Sequence, residues 1–198
     1  NCIIKSKERN FRIEDFSLED VWNKIDLNDK DFKKIHSFYW LFTINLKSSK
    51  KITQNIISNW IYENDRYKQD VWDLDVLSKR IIAWISNSRL TYENSDINYK
   101  LKFNSVIKKQ TNHLINEINS SDKLDDKMIG STAIILVGLS YEDKYYLKFG
   151  IELLKQILDI SLDTENFPKS RNLRQLVFYL KYLVVVREFL KESQTSIP

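Results

Sequence analysis

The sequence contains only 3 glycines and 2 prolines among 198 residues. Average usage would supply roughly 14 glycines at this length, so the glycine-rich phosphate loops and repeated tight turns of nucleotide-binding and all-β folds are excluded. Aromatic residues make up 13% of the chain, which excludes an intrinsically disordered protein. Long helices packed around a sizeable core are the class that remains.

The sequence has few residues that bind transition metals or form disulfides. The single cysteine, Cys2, cannot form an internal disulfide, and two histidines, His36 and His113, are too few for a Cys/His zinc site. The formal net charge of +4 is too small to predict nucleic-acid binding. The apolar run Ile134–Val137 is far shorter than the roughly 20 residues of a membrane-spanning helix. We expect no cofactor, no nucleic-acid partner and no membrane span.

Helical periodicity begins after an extended lead-in at residues 1–30, and a helical domain occupies residues 31–198. Asp73 and Asp143 precede apolar stripes and are therefore predicted to start helices. The predicted helices are Asp31–Leu46, Ile52–Ile61, Asp73–Ile85, Ser95–Asn119, Met128–Leu139, Asp143–Leu158 and Asn172–Lys191. The predicted fold class is all-α.

Segment Met128–Leu139 differs from the other six because it is apolar nearly all round. A helix without a polar face must be covered on both sides, so this segment is predicted to be an inner helix. Its glycines, Gly130 and Gly138, permit a close approach of neighbouring helices.

The predicted helices pair in order as antiparallel hairpins, the first with the second, the third with the fourth and the fifth with the sixth. The seventh is then left without a partner, which suggests that the fold continues beyond residue 198. Alternating hairpins are typical of an α/α toroid and of an α-solenoid, and the pattern alone does not distinguish these architectures.

Several strings of residues resemble the helical domain of heparinase II/III-like proteins. They are HSFYWL from His36, SNWI from Ser58, VW from Val71, KRIIAWIS from Lys79, GSTAIILVG from Gly130 and FPKSRN from Phe167. The similarity covers roughly Trp22 to Pro198. It implies an incomplete α/α toroid built from antiparallel helix hairpins, followed in the full protein by a β-sandwich domain, with a periplasmic or cell-envelope location.

The resemblance also implies binding of an acidic polysaccharide, such as a glycosaminoglycan or alginate, and cleavage by β-elimination in active members. Known lyases neutralise the uronate carboxylate with an Asn/His pair at the start of the inner helix, where this chain has Asp125 and Asp126. Two carboxylates repel a uronate. The sequence therefore predicts one wall of a lyase-type cleft that is not catalytic alone.

Four candidate substrate-binding residues lie in the first half of the chain: His36, Trp40, Trp72 and Arg80. The tryptophans could stack on sugar rings or pack in a core. His36 could bind substrate or make a structural hydrogen bond, and Arg80 could reach the cleft or pair with Asp70, Asp73 or Asp75.

The other four candidates are Lys169, Arg171, Asn172 and Arg174, at the start of the last predicted helix. Basic side chains and free backbone N–H groups can together hold a carboxylate or sulfate there. The alternative is a solvated loop. The lysine doublets at residues 50–51 and 108–109 are interpreted as solvated faces.

Two further functions stay open at this point. A non-enzymatic α-helical scaffold that binds a protein or glycan is suggested by the absence of the Asn/His pair. An α-solenoid that binds nucleic acid would need a basic stripe across several helices. The chain contains no nucleophile elbow, Walker loop, zinc motif or EF-hand string.

Overall fold

The computed structural model describes residues 3–5, 10–12, 22, 28–43 and 50–193, and it confirms the all-α class. The helices are α1 Asp29–His36, α2 Lys50–Asn64, α3 Leu74–Ser86, α4 Ser88–Thr91, α5 Ile97–Glu117, α6 Leu124–Ser140, α7 Lys144–Ser161 and α8 Leu173–Glu192, with 3-10 helices at Tyr39–Thr43 and Ile118–Ser120. Within the predicted lead-in, β1 (Ile3–Lys5) pairs antiparallel with β2 (Asn10–Arg12), and Ile3 lies opposite Arg12. Much of the remaining lead-in lies outside the described residues.

Side-chain caps fix the starts of several helices where the sequence predicts them. The Asp73 carboxylate accepts a hydrogen bond from the backbone N–H of Asp75, and Asp143 accepts from Tyr145 and Tyr146. Each cap satisfies backbone donors that the first turn of a helix leaves without partners.

The first helix is shorter than the sequence predicts. It ends at His36, and Phe38 takes a positive φ of 53°, which an α-helix cannot accommodate. This reversal turns Phe38 inward, where its ring is fully buried against Trp40 and Trp60. The predicted continuous helix is therefore wrong between His36 and Thr43, where the chain breaks and forms a 3-10 helix. Its predicted end, Leu46, lies outside the described residues.

Contacts between Cα atoms divide the chain into two compact units, residues 1–110 and 111–198. In the first unit, α1 packs chiefly against α3 and the following 3-10 helix rather than forming the predicted hairpin with α2. The core of this unit is aromatic, with Trp60 and Trp84 fully buried and in edge-to-face contact.

The second unit is built around α6. Every residue from Met128 to Gly138 is buried, and Ile134 and Ile135 are both wholly inaccessible, which confirms the prediction of an inner helix. The predicted pairing of the fifth and sixth helices is also confirmed, because α6 and α7 make the most extensive helix contact of the unit.

The last helix has a partner in the described chain, contrary to the prediction that it is unpaired. α8 packs on α6, and one of its faces buries Tyr179, Tyr182, Val186 and Leu190. The sequence suggested otherwise because sequential hairpins use each helix once, whereas α6 is apolar on all sides and accepts two neighbours.

Candidate functional site

The four candidate residues of the first unit all lie in its core. His36 and Arg80 are completely buried, and Trp40 and Trp72 are 3% and 4% exposed. The Trp40 indole donates to the carbonyl of Ile35, and the Trp72 indole donates to that of Asn64. Contact with a polysaccharide would require this core to open, so the structure favours the structural role for all four, and their role in substrate binding stays a prediction.

His36 has both ring nitrogens engaged by its neighbours. The indole N–H of Trp60 donates to Nδ1 at 3.0 Å, so the neutral ring carries its proton on Nε2, which donates to the Trp22 carbonyl at 3.2 Å. Burial, reinforced by the positive charge of Arg80, lowers the pKa of His36 to about 3. The ring is therefore neutral at every physiological pH.

The neutral state of His36 should make stability depend on pH. An unfolded histidine titrates near 6.5, so acidification below this pH protonates the unfolded chain while folded His36 stays neutral. The free energy of unfolding is expected to fall by about 2 kcal/mol between pH 7 and pH 5, at about 1.4 kcal/mol per pH unit below 6.5. Urea unfolding at both pH values measures this change.

The measurement is best made in a His113→Gln variant, because this substitution removes the second histidine and leaves His36 as the one that titrates on unfolding. His36→Gln in this background should abolish most of the slope. An NMR titration of His36 in the folded chain is an independent check, because a ring that protonates near pH 6 would contradict the assignment.

Arg80 is held by neutral acceptors rather than by the carboxylates that the sequence offered. Its Nη1 donates to the carbonyls of His36 and Val71 at 2.9 and 3.1 Å, and its Nε donates to Gln110 Oε1 at 3.1 Å. The guanidinium also lies over the Trp60 ring, 4.2 Å from its centroid. Asp73 and Asp75 pair instead with Lys33 and Lys79.

The four candidates of the second unit lie at the start of α8: Lys169, Arg171 and Asn172 in the loop that leads into it, and Arg174 in its first turn. Asn172 caps the helix by accepting from the backbone N–H of Arg174 at 3.0 Å, and Lys169 donates to the Asp159 carbonyl at 2.9 Å. Arg171, with a φ of 54°, pairs with Asp163 at 3.1 Å. Arg174 and most of Arg171 are exposed, and the Asp163 carboxylate already neutralises part of the predicted cluster's charge.

The same loop lowers the pKa of the Asp163 carboxyl group. The backbone N–H of Phe167, followed by that of Glu165 and the charge of Arg171, lowers the pKa of this carboxyl. It is therefore ionised at neutral pH and competes with any external anion for Arg171.

A larger candidate site lies between α2 and α5 in the first unit. A cavity of about 770 Å³ adjoins a second of about 510 Å³, and Asn55, Ser58 and Lys102 line both. We call the combined depression the α2–α5 groove. Its other lining residues include Lys50, Lys51, Gln54, Asn59, Tyr62, Asp65, Glu93, Asp96, Leu101 and Ser105.

Cationic side chains remain available in this groove. Lys50 pairs with Glu93 at 3.6 Å and Lys109 pairs with Asp65 at 3.0 Å, which neutralises both acids. Lys51 and Lys102 have no such counter-ion among the described residues. The groove therefore offers two cations to a ligand, beside the carboxylate of Asp96, which accepts a hydrogen bond from the backbone N–H of Tyr99.

Neutral polar groups in the groove are available as well. Asn55, Ser58 and Ser105 make no side-chain hydrogen bond within the described part of the chain, whereas the amide of Asn59 accepts from Trp22. Tyr62 is 82% exposed and presents a ring at the edge of the groove. Amides, hydroxyls, an aromatic ring and free ammonium groups together suit a polyhydroxylated ligand that carries negative charge.

The far end of the groove is lined by a tyrosine whose hydroxyl is buried. Tyr99, which lines its far end, donates its hydroxyl to the Thr91 carbonyl, and burial raises its pKa well above the usual range. No histidine occurs in the lining, and the described residues contain no group of three His, Cys, Asp or Glu side chains placed to hold a metal ion. None of the described helices has the length and apolarity needed to cross a membrane.

The Lys50–Lys51 doublet by itself predicts a solvated face and gives no indication of this groove. A signal was present in α2, where Asn55, Ser58, Asn59 and Tyr62 follow helical spacing and form a polar stripe opposite the buried one. The second wall is α5, which begins at Ile97, after two intervening helices. No local pattern pairs the two helices.

Comparisons of the chain with protein-family models, with curated proteins and with solved structures found no match. The resemblance to heparinase II/III-like proteins therefore stays a prediction that rests on the quoted strings.

Proposed function

We propose that this chain binds an acidic polysaccharide through the α2–α5 groove. The observation that carries the proposal is the pair Lys51 and Lys102, which lack counter-ions in the described chain and line the same groove as unpartnered amides and hydroxyls. Each ammonium can donate charge-assisted hydrogen bonds to a uronate carboxylate or a sulfate, which are about twice as strong as neutral ones.

The groove also suits the uncharged part of such a ligand. The exposed ring of Tyr62 offers a flat face for the C–H side of a pyranose, and Leu101, 62% exposed, adds apolar surface on the opposite wall. Asn55 and Ser105 can bond to sugar hydroxyls. An extended glycan can thus use both cavities in succession.

Under this proposal the chain is the helical domain of a heparinase II/III-like protein, with the toroid arrangement and a downstream β-sandwich domain as further expectations. Asp125 and Asp126 occupy the first turn of α6, where known lyases place a neutralising pair. Because two carboxylates disfavour a uronate, the chain contributes binding and one wall of the cleft, without catalysis of its own.

The proposal predicts a charge-dependent affinity that Lys102→Ala reduces. Calorimetric titration with alginate or heparin oligosaccharides should show a loss of about tenfold or more, since one charge-assisted hydrogen bond contributes about 1.5 to 3 kcal/mol. Affinity should fall as salt rises. A neutral malto-oligosaccharide should bind far more weakly and should not respond to the substitution.

Lys108→Ala is the matched control, because Lys108 is an exposed lysine of the same helix outside the groove lining. Arg171→Ala tests the competing site before α8. Loss of affinity in Arg171→Ala with none in Lys102→Ala would move the site to that loop and contradict the groove. Incubation of the chain alone with these polymers should produce no unsaturated-uronate absorbance.

The second candidate function is a non-enzymatic helical scaffold that binds a protein or glycan partner. An exposed apolar face on α8 favours it, because soluble helices rarely leave a continuous apolar stripe in water without a partner.

A further inference from the structure

The charged side chains of the α2–α5 groove nearly balance one another. Its lining contains three lysines and three carboxylates, which are Lys50, Lys51, Lys102, Asp65, Glu93 and Asp96. Two of the carboxylates are already paired, Glu93 with Lys50 at 3.6 Å and Asp65 with Lys109 at 3.0 Å. A ligand therefore meets only the charges that these two pairs leave over.

The charges left over are two cations and one carboxylate. Lys51 and Lys102 have no counter-ion in the described part of the chain. The exposed carboxylate of Asp96 accepts a hydrogen bond from the backbone N–H of Tyr99 at 2.9 Å and likewise forms no ion pair with a described residue. The nearby Lys100 lies over the Tyr92 ring and does not line the groove. The excess is thus a single positive charge.

This excess is located at one end of the groove. Lys51 and Asp96 line the cavity of about 510 Å³, and Lys102 stands where the two cavities join. Apart from Lys102 and the paired Asp65, the described residues that line the cavity of about 770 Å³ are neutral, and they include Tyr62 and Leu101. A negative group in the larger cavity would lie near a carboxylate without a second free cation to offset it.

We propose that the groove selects a glycan that carries a carboxylate on alternate sugars and discriminates against a densely sulfated polyanion. This inference rests on the proposed function and narrows its substrate class. The acidic sugar contacts Lys51 and Lys102, and its neutral neighbour packs on Tyr62. Additional sulfates would lie against Asp96 or Asp65, and like charges brought together in a binding site lower the affinity.

Two chondroitin hexasaccharides with the same backbone test this selectivity. The unsulfated form carries a carboxylate on every second sugar, and the other form adds two sulfates to each disaccharide. Calorimetric titration of the full chain at one salt concentration should show tighter binding of the unsulfated form, by about tenfold. Lys102→Ala should weaken the binding of both forms, because both use the cation between the two cavities.

Asp96→Asn tests the source of the discrimination. Asparagine caps helices as well as aspartate does, so the hydrogen bond from the Tyr99 N–H and the start of α5 should be kept. The variant should reduce the preference for the unsulfated form by about fivefold, because it removes the unpaired carboxylate. Asp122→Asn is the matched control, since Asp122 is an exposed aspartate outside the groove lining, and it should leave the preference unchanged.

The outcomes separate this inference from the function on which it rests. Tighter binding of the sulfated form that still depends on Lys102 would overturn the selectivity and leave the groove as the binding site. A preference for the unsulfated form that Asp96→Asn does not reduce would overturn the role of charge balance. Affinities for both forms that Lys102→Ala leaves unchanged would overturn the proposed function and this inference together.

Discussion

Replacing Gln110 by glutamate should stabilise the fold while Arg80 is present and destabilise it by about 3 to 5 kcal/mol when Arg80 is replaced by methionine. The reason lies in the buried contact between the two residues. Arg80 carries a charge into the core of the first unit, and its acceptors are two backbone carbonyls and an amide oxygen. Without a carboxylate partner, the hydrogen bonds of a buried guanidinium do not fully offset the free-energy cost of its desolvation.

Glutamate has nearly the same shape as glutamine and can supply the carboxylate that Arg80 lacks. Arg80 Nε already donates to Gln110 Oε1 at 3.1 Å, while Arg80 Nη2 and Gln110 Nε2 have no hydrogen-bond partner. Exchanging the amide nitrogen for a second oxygen supplies an acceptor beside that free donor and permits a bidentate pair. Without Arg80, the same carboxylate is a buried, unpaired charge.

Urea unfolding at pH 7 of the four chains in this double-mutant cycle measures the coupling. Arg80→Met alone should also destabilise the fold, since it leaves three acceptors without donors, at about 1 to 3 kcal/mol each. Lys79→Met is the control, because its ion pair with Asp75 is partly exposed and should contribute about 1 kcal/mol or less. Effects that add within about 0.5 kcal/mol would contradict a direct interaction.

Local chemistry in the sequence was enough to predict most helices. Asp73 and Asp143 stand where the sequence predicts helix starts, and both caps are formed in the structure. The apolar character of Met128–Leu139 likewise predicted its burial, because an all-round apolar helix has only one stable environment.

Features that depend on contacts distant in sequence were not predictable. Phe38 ends α1 because its ring fills an aromatic core assembled from Trp40, Trp60 and Trp84, and no local pattern announces that core. Arg80 finds neutral acceptors in place of the nearby aspartates for the same reason.

The candidate site also has a part that local sequence predicts and a part that depends on contacts distant in sequence. The polar stripe of α2 is visible in the sequence, but a groove needs a second wall, and the partner helix is set by packing. Lys169, Arg171 and Arg174 are exposed at the start of α8, and their role in binding an anion stays a prediction. What the sequence could not show is that Asp163 turns back across the loop to pair with Arg171.

Replacing Gly138 by alanine should destabilise the second unit by about 2 kcal/mol or more, although alanine is favoured over glycine in a helix by about 1 kcal/mol. A Cβ at this position would lie 2.5 Å from the backbone nitrogen of Leu147 and 2.8 Å from its Cα. Backbone atoms cannot rotate away, so α6 and α7 would have to separate and lose packing along their shared surface.

Gly130→Ala is the matched control in the same helix. Its Cβ would meet the end of the Ile118 side chain at 2.7 Å, and that side chain can change rotamer, so the net effect should be within about 1 kcal/mol of zero. Ile118→Val should relieve any strain in Gly130→Ala, whereas Leu147→Ala should not rescue Gly138→Ala, because the obstructing atoms belong to the main chain. Urea unfolding of the four single variants and the two double variants beside the wild type measures both effects. Equal stability of Gly138→Ala and Gly130→Ala would show that α6 and α7 are not in backbone contact at Gly138.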